Sequence, residues 1–131
     1  MAIFEIRRSP TEIARVRDRV RLLPEMTDLD HTTTDDVVLI VSELVSNAVS
    51  AARPESTITI EVDRCADGIH ISVENLGPPL EGHDDPHLPD SSAMRGRGLA
   101  IVSMLSSSMT TDHHGGRTRV SVVCARAATP S

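Results

Sequence analysis

The chain has 131 residues, 39% of them hydrophobic and 24% charged, enough for one globular domain with a single core and too few for two. A net charge of -6 argues against a phosphate-backbone binder, and because all thirteen basic residues are arginines, Schiff-base, lysine-nucleophile and P-loop lysine chemistry are excluded. Phe4 is the single aromatic residue, so the core must be aliphatic and single-stranded nucleic acid finds no rings to stack on.

Ala2 to Ile6 reads as a short strand. Ser9-Pro10-Thr11-Glu12 has the form of a capping box with proline at the first helical position. Ile13, Val16, Val20 and Leu23 then recur at three and four, with arginines between them, which predicts an amphipathic helix closed by Pro24. A second helix is expected after a polar connector, capped by one of Thr32 to Thr34, with Asp35 and Asp36 in its first turn, and ended by Pro54.

This second helix is apolar on nearly every side, through Val37, Val38, Ile40, Val41, Leu44, Val45, Ala48 and Val49, and so should be buried. Glu43 and Asn47 are four residues apart and share one face of it. A buried carboxylate without a partner is costly, so the pair should face a cavity, a cation or a ligand; an internally satisfied pair is the competing reading of the segment by itself.

Residues 57–63 and 69–73 alternate strictly, and Asp67-Gly68 between them signals a hairpin turn. From Leu76 to Arg97 no period survives, and a loop of that length in a compact domain is expected to be a lid or binding loop. Gly98 to Leu105 regains helical period, with glycines at its N-terminal end. Met109 to Asp112, a His113-His114-Gly115-Gly116 turn and Thr118 to Cys124 predict a second hairpin, and residues 126–131 a disordered tail. Residues 1–125 thus form one domain of about five strands and three helices, an α+β two-layer sandwich with the helices on one face of a mixed, mainly antiparallel sheet.

Cys65 and Cys124 lack metal or redox spacing and are expected to be reduced structural thiols. With no signal-type core at the N-terminus and no apolar run that could span a bilayer, the chain reads as a soluble cytoplasmic protein without membrane contact.

Three further segments accompany Glu43 and Asn47. Asn75-Leu76-Gly77 sets a polar side chain at a strand end before a glycine. Arg95-Gly96-Arg97-Gly98-Leu99 is a Gly-x-Gly run entering a helix, where backbone N–H groups and the dipole suit phosphate. Gly115-Gly116-Arg117-Thr118 places a hydroxyl at a strand start.

In their order and spacing these pieces resemble the GHKL superfamily of ATP-binding domains (the Bergerat fold), closest to its stand-alone anti-sigma-factor serine/threonine kinases. Glu43 to Ala48 matches the N box, Asn75 to Gly77 the first glycine box, Gly96 to Leu99 the second, and Gly116 to Val120 the Thr-bearing strand. The resemblance implies that Asn47 ligates the Mg²⁺ of bound ATP, that Glu43 is the general base, and that Ala51 forms part of the purine wall. It further implies phosphate contacts from Gly96, Gly98, Arg95 and Arg97, an ATP lid over 76–97, a homodimer, and two protein partners: a sigma factor and a small antagonist bearing the phosphoacceptor serine.

One position departs from the family. Asn75 stands where an Asp usually accepts a hydrogen bond from the adenine amino group, and a neutral acceptor is worth about 1 kcal/mol less, roughly fivefold in affinity. A nucleotide-dependent binding protein with weak or no kinase activity is therefore the alternative. A detached histidine-kinase domain is a further rival, and no histidine is expected on a long helix to serve it. His83, His87, His113 and His114 invite a metal reading, but solvated loop and turn residues are expected. Ser42, Ser46 and Ser50 are expected to be packing hydroxyls, not nucleophiles.

Overall fold

The computed structural model describes residues 1–77 and 93–125, apart from the side chains of 93–97. The tail 126–131 and most of the expected lid, 78–92 with its histidines, lie outside the described residues. Five strands, β1 (Ala2–Arg7), β2 (Thr57–Cys65), β3 (Gly68–Leu76), β4 (Ser108–His114) and β5 (Arg117–Cys124), form one sheet in the order β1-β2-β3-β5-β4. Among the described residues every pairing is antiparallel, so the sheet they form is not mixed. Three helices, α1 (Thr11–Arg21), α2 (His31–Ala51) and α3 (Ala93–Leu105), complete the α+β sandwich.

The sheet's apolar residues line up in rungs because strand side chains alternate faces. Phe4, Ile60, Val73 and Val120 are successive register partners, and all four are buried. Against this face lies α2, whose Val37, Ile40, Val41, Leu44 and Val45 are almost wholly excluded from solvent. Each such side chain contributes about 1.5–3 kcal/mol relative to exposure, which is why this helix holds the layers together. Helix α1 joins the core through Val16 and Val20. It is tied to α2 by Arg17, whose Nε donates to the buried Ser42 hydroxyl at 2.9 Å, and to β1 by Arg19, stacked 4.1 Å above the Phe4 ring.

Several boundaries differ from expectation for local reasons. Asp30, not a threonine, caps α2 by accepting the Thr33 N–H at 3.3 Å; Asp35 and Asp36 therefore fall beyond the first turn. His31 opens this 21-residue helix, so one histidine does stand on a long helix after all. Helix α1 ends at Arg21, and Pro24–Met26 adds a separate 3₁₀ turn. Ser9 makes no reciprocal capping box; its hydroxyl lies 3.4 Å from the Thr11 N–H.

The first hairpin turns at Ala66 and Asp67, one residue earlier than the Asp-Gly pair suggested, because Gly68 (φ +146°) already pairs with Cys65. His113 and His114 belong to β4, leaving Gly115 and Gly116 as a two-residue turn with φ of +60° and +77°. Both cysteines are free thiols, as expected. Burial, followed by the charges of Asp36 and Asp30, pushes the Cys124 thiol up to about 11, so it is neutral at physiological pH.

Candidate nucleotide site

Along the covered face of the sheet, one rung changes character. Ile6 pairs with Ile58, Ile58 with Asn75, Asn75 with Thr118, and Thr118 with His113. The rung thus runs from aliphatic to polar, and Asn75 and Thr118 are nonetheless buried. They look onto the last two turns of α2. Asn47, Ala51, Asn75 and Thr118 line one small cavity with Leu44, Ala48, Val73 and Val120, its volume about 10 Å³, the room one water takes.

Polar atoms in this cavity are incompletely satisfied. The side-chain nitrogens of Asn47 and Asn75 are both buried and have no hydrogen-bond partner among the described residues. Leaving an amide group unpaired in the interior costs about 1–3 kcal/mol, a penalty that a polar ligand would relieve. Thr118 is better held: its hydroxyl lies 3.0 Å from His113 Nδ1 and 3.5 Å from the Gly77 carbonyl oxygen. His113, which the sequence alone places in a turn, is brought beside Thr118 by the β4–β5 register.

Gly77 sits on the rim because nothing larger fits. A Cβ there would lie 2.6 Å from the Ala51 carbonyl oxygen and 2.9 Å from Asn75 Nδ2. Backbone bonds lock the approach: the Gly77 N–H donates to the Gly116 carbonyl at 3.0 Å, and the Arg53 N–H to the Leu76 carbonyl at 2.8 Å. The C-terminal end of α2, the end of β3 and the glycine turn before β5 therefore meet at one corner.

The second glycine segment lies elsewhere in its element than expected. Helix α3 begins at Ala93, so Gly96 and Gly98 lie inside it, and the expected lid cannot extend to Arg97. Packing overrides the low helix propensity of glycine here. Leu99 and Val102 are buried, and Gly98 comes so close to α2 that a Cβ would lie 2.6 Å from Glu43 Oε2. Glu43, one turn before Asn47, thus faces α3. Arg95, Gly96 and Arg97 fall in the first turns of α3.

The structure thus brings Asn47, Ala51, Asn75 and Thr118 to one pocket, with Gly77 against Ala51 and Asn75, and with Glu43 and Gly98 close to each other on α2 and α3. A one-sided antiparallel sandwich with such a corner between its central helix and two strands defines a GHKL-type ATPase domain. The chain belongs to the histidine kinase-like ATPase domain family, whose model matches residues 6–124.

Among relatives, it is 36% identical over 87 residues to the sensor protein IrlS of Burkholderia pseudomallei (strain K96243), covering 58% of this chain and 18% of that protein. In structure it is similar to the RsbU and RsbW domains of Rv1364c from Mycobacterium tuberculosis, with a TM-score of 0.66 and 19% identity over 96% of this chain and 33% of that one. The nucleotide-free catalytic domain of histidine kinase ThkA gives a TM-score of 0.59 and 16% identity, covering 96% of this chain and 98% of that domain. At such identities the structural matches establish the fold, and the chain spans less than a fifth of the sensor protein. No helix among the described residues is long and apolar enough to cross a membrane.

Proposed function

We propose that this domain binds ATP with Mg²⁺ at the α2, β3 and β5 corner, transfers the γ-phosphoryl group to a serine of a small antagonist protein, and holds a sigma factor in competition with it. The carrying observation is that the side-chain nitrogens of Asn47 and Asn75, buried and without a hydrogen-bond partner among the described residues, lie on one cavity with Thr118. These residues fit the nucleotide: an amide oxygen on Asn47 is a suitable Mg²⁺ ligand, and Asn75 can accept from a purine amino group. Bound Mg²⁺ would supply charge neutralisation between the phosphate oxygens.

The chain's own residues then divide the work. Ala51 presents only a methyl group to the small cavity, which must widen to admit a flat ring, and Gly77 adds no side chain beside it. Glu43 accepts the proton of the attacking serine hydroxyl, and Gly98 leaves its carboxylate the space to do so. As the hydroxyl oxygen bonds to the γ-phosphorus, the bond to the bridging oxygen breaks and ADP leaves with that electron pair. The protein acts in the cytoplasm, as a homodimer, without direct contact to nucleic acid or membrane.

Asn75 favours a second reading, a nucleotide-dependent binding protein with little transfer activity. The histidine-kinase reading gains no support from His31, which is exposed at the start of α2 and sixteen residues before Asn47, about 24 Å along the helix axis. Incubation with labelled ATP, Mg²⁺ and a candidate antagonist separates the three. Phosphoserine on the partner supports the kinase, binding without transfer the second reading, and acid-labile phosphohistidine the third. Glu43→Ala should abolish transfer and keep ATP binding; retained transfer removes the base assignment.

A further inference from the structure

The far end of the same sheet carries a second cluster of reactive side chains, unrelated to the nucleotide corner. Cys65, Asp67 and His70 each bring one potential ligand atom to the β2–β3 turn, and these atoms all lie within 4.8 Å of one another. We propose that this hairpin is a binding site for a thiophilic divalent cation of the zinc class, held by the Cys65 sulfur, an Asp67 carboxylate oxygen and a His70 ring nitrogen.

The hairpin's register creates the cluster. Cys65 pairs with Gly68 and Asp63 with His70, so the two-residue alternation sets Asp63, Cys65 and His70 on the sheet face that no described helix covers. The tight turn then swings Asp67 over them, its Oδ1 2.7 Å from His70 Nε2. The Cys65 thiol donates to Asp63 Oδ2 at 3.6 Å, so a carboxylate already waits beside the sulfur. Drift of the turn is limited, because a Cβ on Gly68 would collide with the Cys124 carbonyl oxygen at the end of β5.

The chemistry selects the ion. Zinc bonds of about 2.0–2.3 Å to sulfur, nitrogen and oxygen put tetrahedral ligand atoms roughly 3.3–3.7 Å apart, a contraction of about 1 Å that side-chain rotation supplies. Thiolate and imidazole favour zinc or cobalt over magnesium and calcium. On binding, the thiol proton goes to solvent and the sulfur lone pair to the metal. Asp63 and His70 also line a groove of about 360 Å³ on this face of the sheet, from which water would supply a fourth ligand. This is not the nucleotide's cation site: His70 and Asn75 lie on opposite faces of β3, five residues or about 17 Å apart along the strand.

Cobalt is the probe, because a cobalt–thiolate bond absorbs in the near ultraviolet and reports the sulfur directly. The reduced full chain, free of nucleotide, should bind one equivalent of Co²⁺ with a thiolate charge-transfer band, Zn²⁺ should displace it, and excess Mg²⁺ should not. Cys65→Ser should lose the band, and His70→Asn should weaken binding at least about tenfold while melting like the wild type. Absence of the band in the wild type overturns the proposal. So does a Cys65→Ser protein that retains wild-type affinity, which would put the metal on histidines elsewhere, or a His70→Asn protein with unchanged affinity.

Discussion

Gly98 on α3 lies directly against Glu43 on α2, so close that the missing Cβ would fall 2.6 Å from the carboxylate. Two helices brought together at a glycine and an acid give that acid a fixed neighbour but no steric lid. Gly98→Ala tests this contact. The added methyl gains about 1 kcal/mol of helix propensity, while the group it meets is the far end of a side chain that can swing aside. The expected variant melts no lower than the wild type, binds ATP, and transfers phosphate at least about tenfold more slowly, since a 1.4 kcal/mol rise in the barrier is tenfold. Parallel thermal melts and phosphotransfer assays check it.

Gly77→Ala should behave in the opposite way. Its new methyl meets the Ala51 carbonyl oxygen at 2.6 Å, and backbone inside a helix end cannot rotate away. Overpacking of this kind costs about 1–3 kcal/mol, so thermal denaturation should show Tm lowered by roughly 4–12 °C. Loss of nucleotide affinity should accompany it, because the same shift moves Asn75.

Asn75→Asp restores the charged acceptor usual in the family and should tighten ATP about fivefold in a calorimetric titration, with sharper preference over GTP. The cost appears in the free protein: position 75 is buried on the polar rung, and an ionised carboxylate there loses hydration. Without nucleotide the variant should therefore melt below the wild type at pH 7. Unchanged ATP affinity would remove Asn75 from the purine contact.

Asp36 supplies a pH test at the other end of α2. Burial first, then the charges of Asp35 and Asp30, raise its carboxyl above the ordinary carboxylate value. Because the folded protein holds this proton more tightly than the unfolded chain, ionisation costs stability as pH rises through the folded pKa, and the cost is fully present at neutral pH. Asp36→Asn should thus raise Tm at pH 7, and the gain should shrink toward about pH 3, where the carboxyl is mostly protonated in both states. Melts across pH 3 to 7 decide it.

Much of this was legible in the residues alone. Two-residue alternation located β2, β3 and β5, the buried period of α2 singled out Glu43 and Asn47, and the order of glycine segments pointed to one nucleotide fold. Those signals are local, because backbone periodicity and turn chemistry act over a few neighbours. Where a boundary was misplaced, a competing contact had won: Asp30 in place of a threonine at the cap of α2, or the packing of Leu99 and Val102 extending α3 back through its glycines.

The convergence of the pieces belongs to tertiary structure. That Asn75 and Thr118 share a rung and that His113 lies against that threonine follow from placing β5 between β3 and β4, and the Gly77 backbone closes on Ala51 because the end of α2 is seated on the end of β3. Cys65 and His70 carried no metal spacing in the sequence, yet a two-residue turn folds them onto one face with Asp67. Side chains distant along the chain meet only when strand order and register are chosen, and that choice is made by burial of the whole aliphatic core, which no short stretch of sequence encodes.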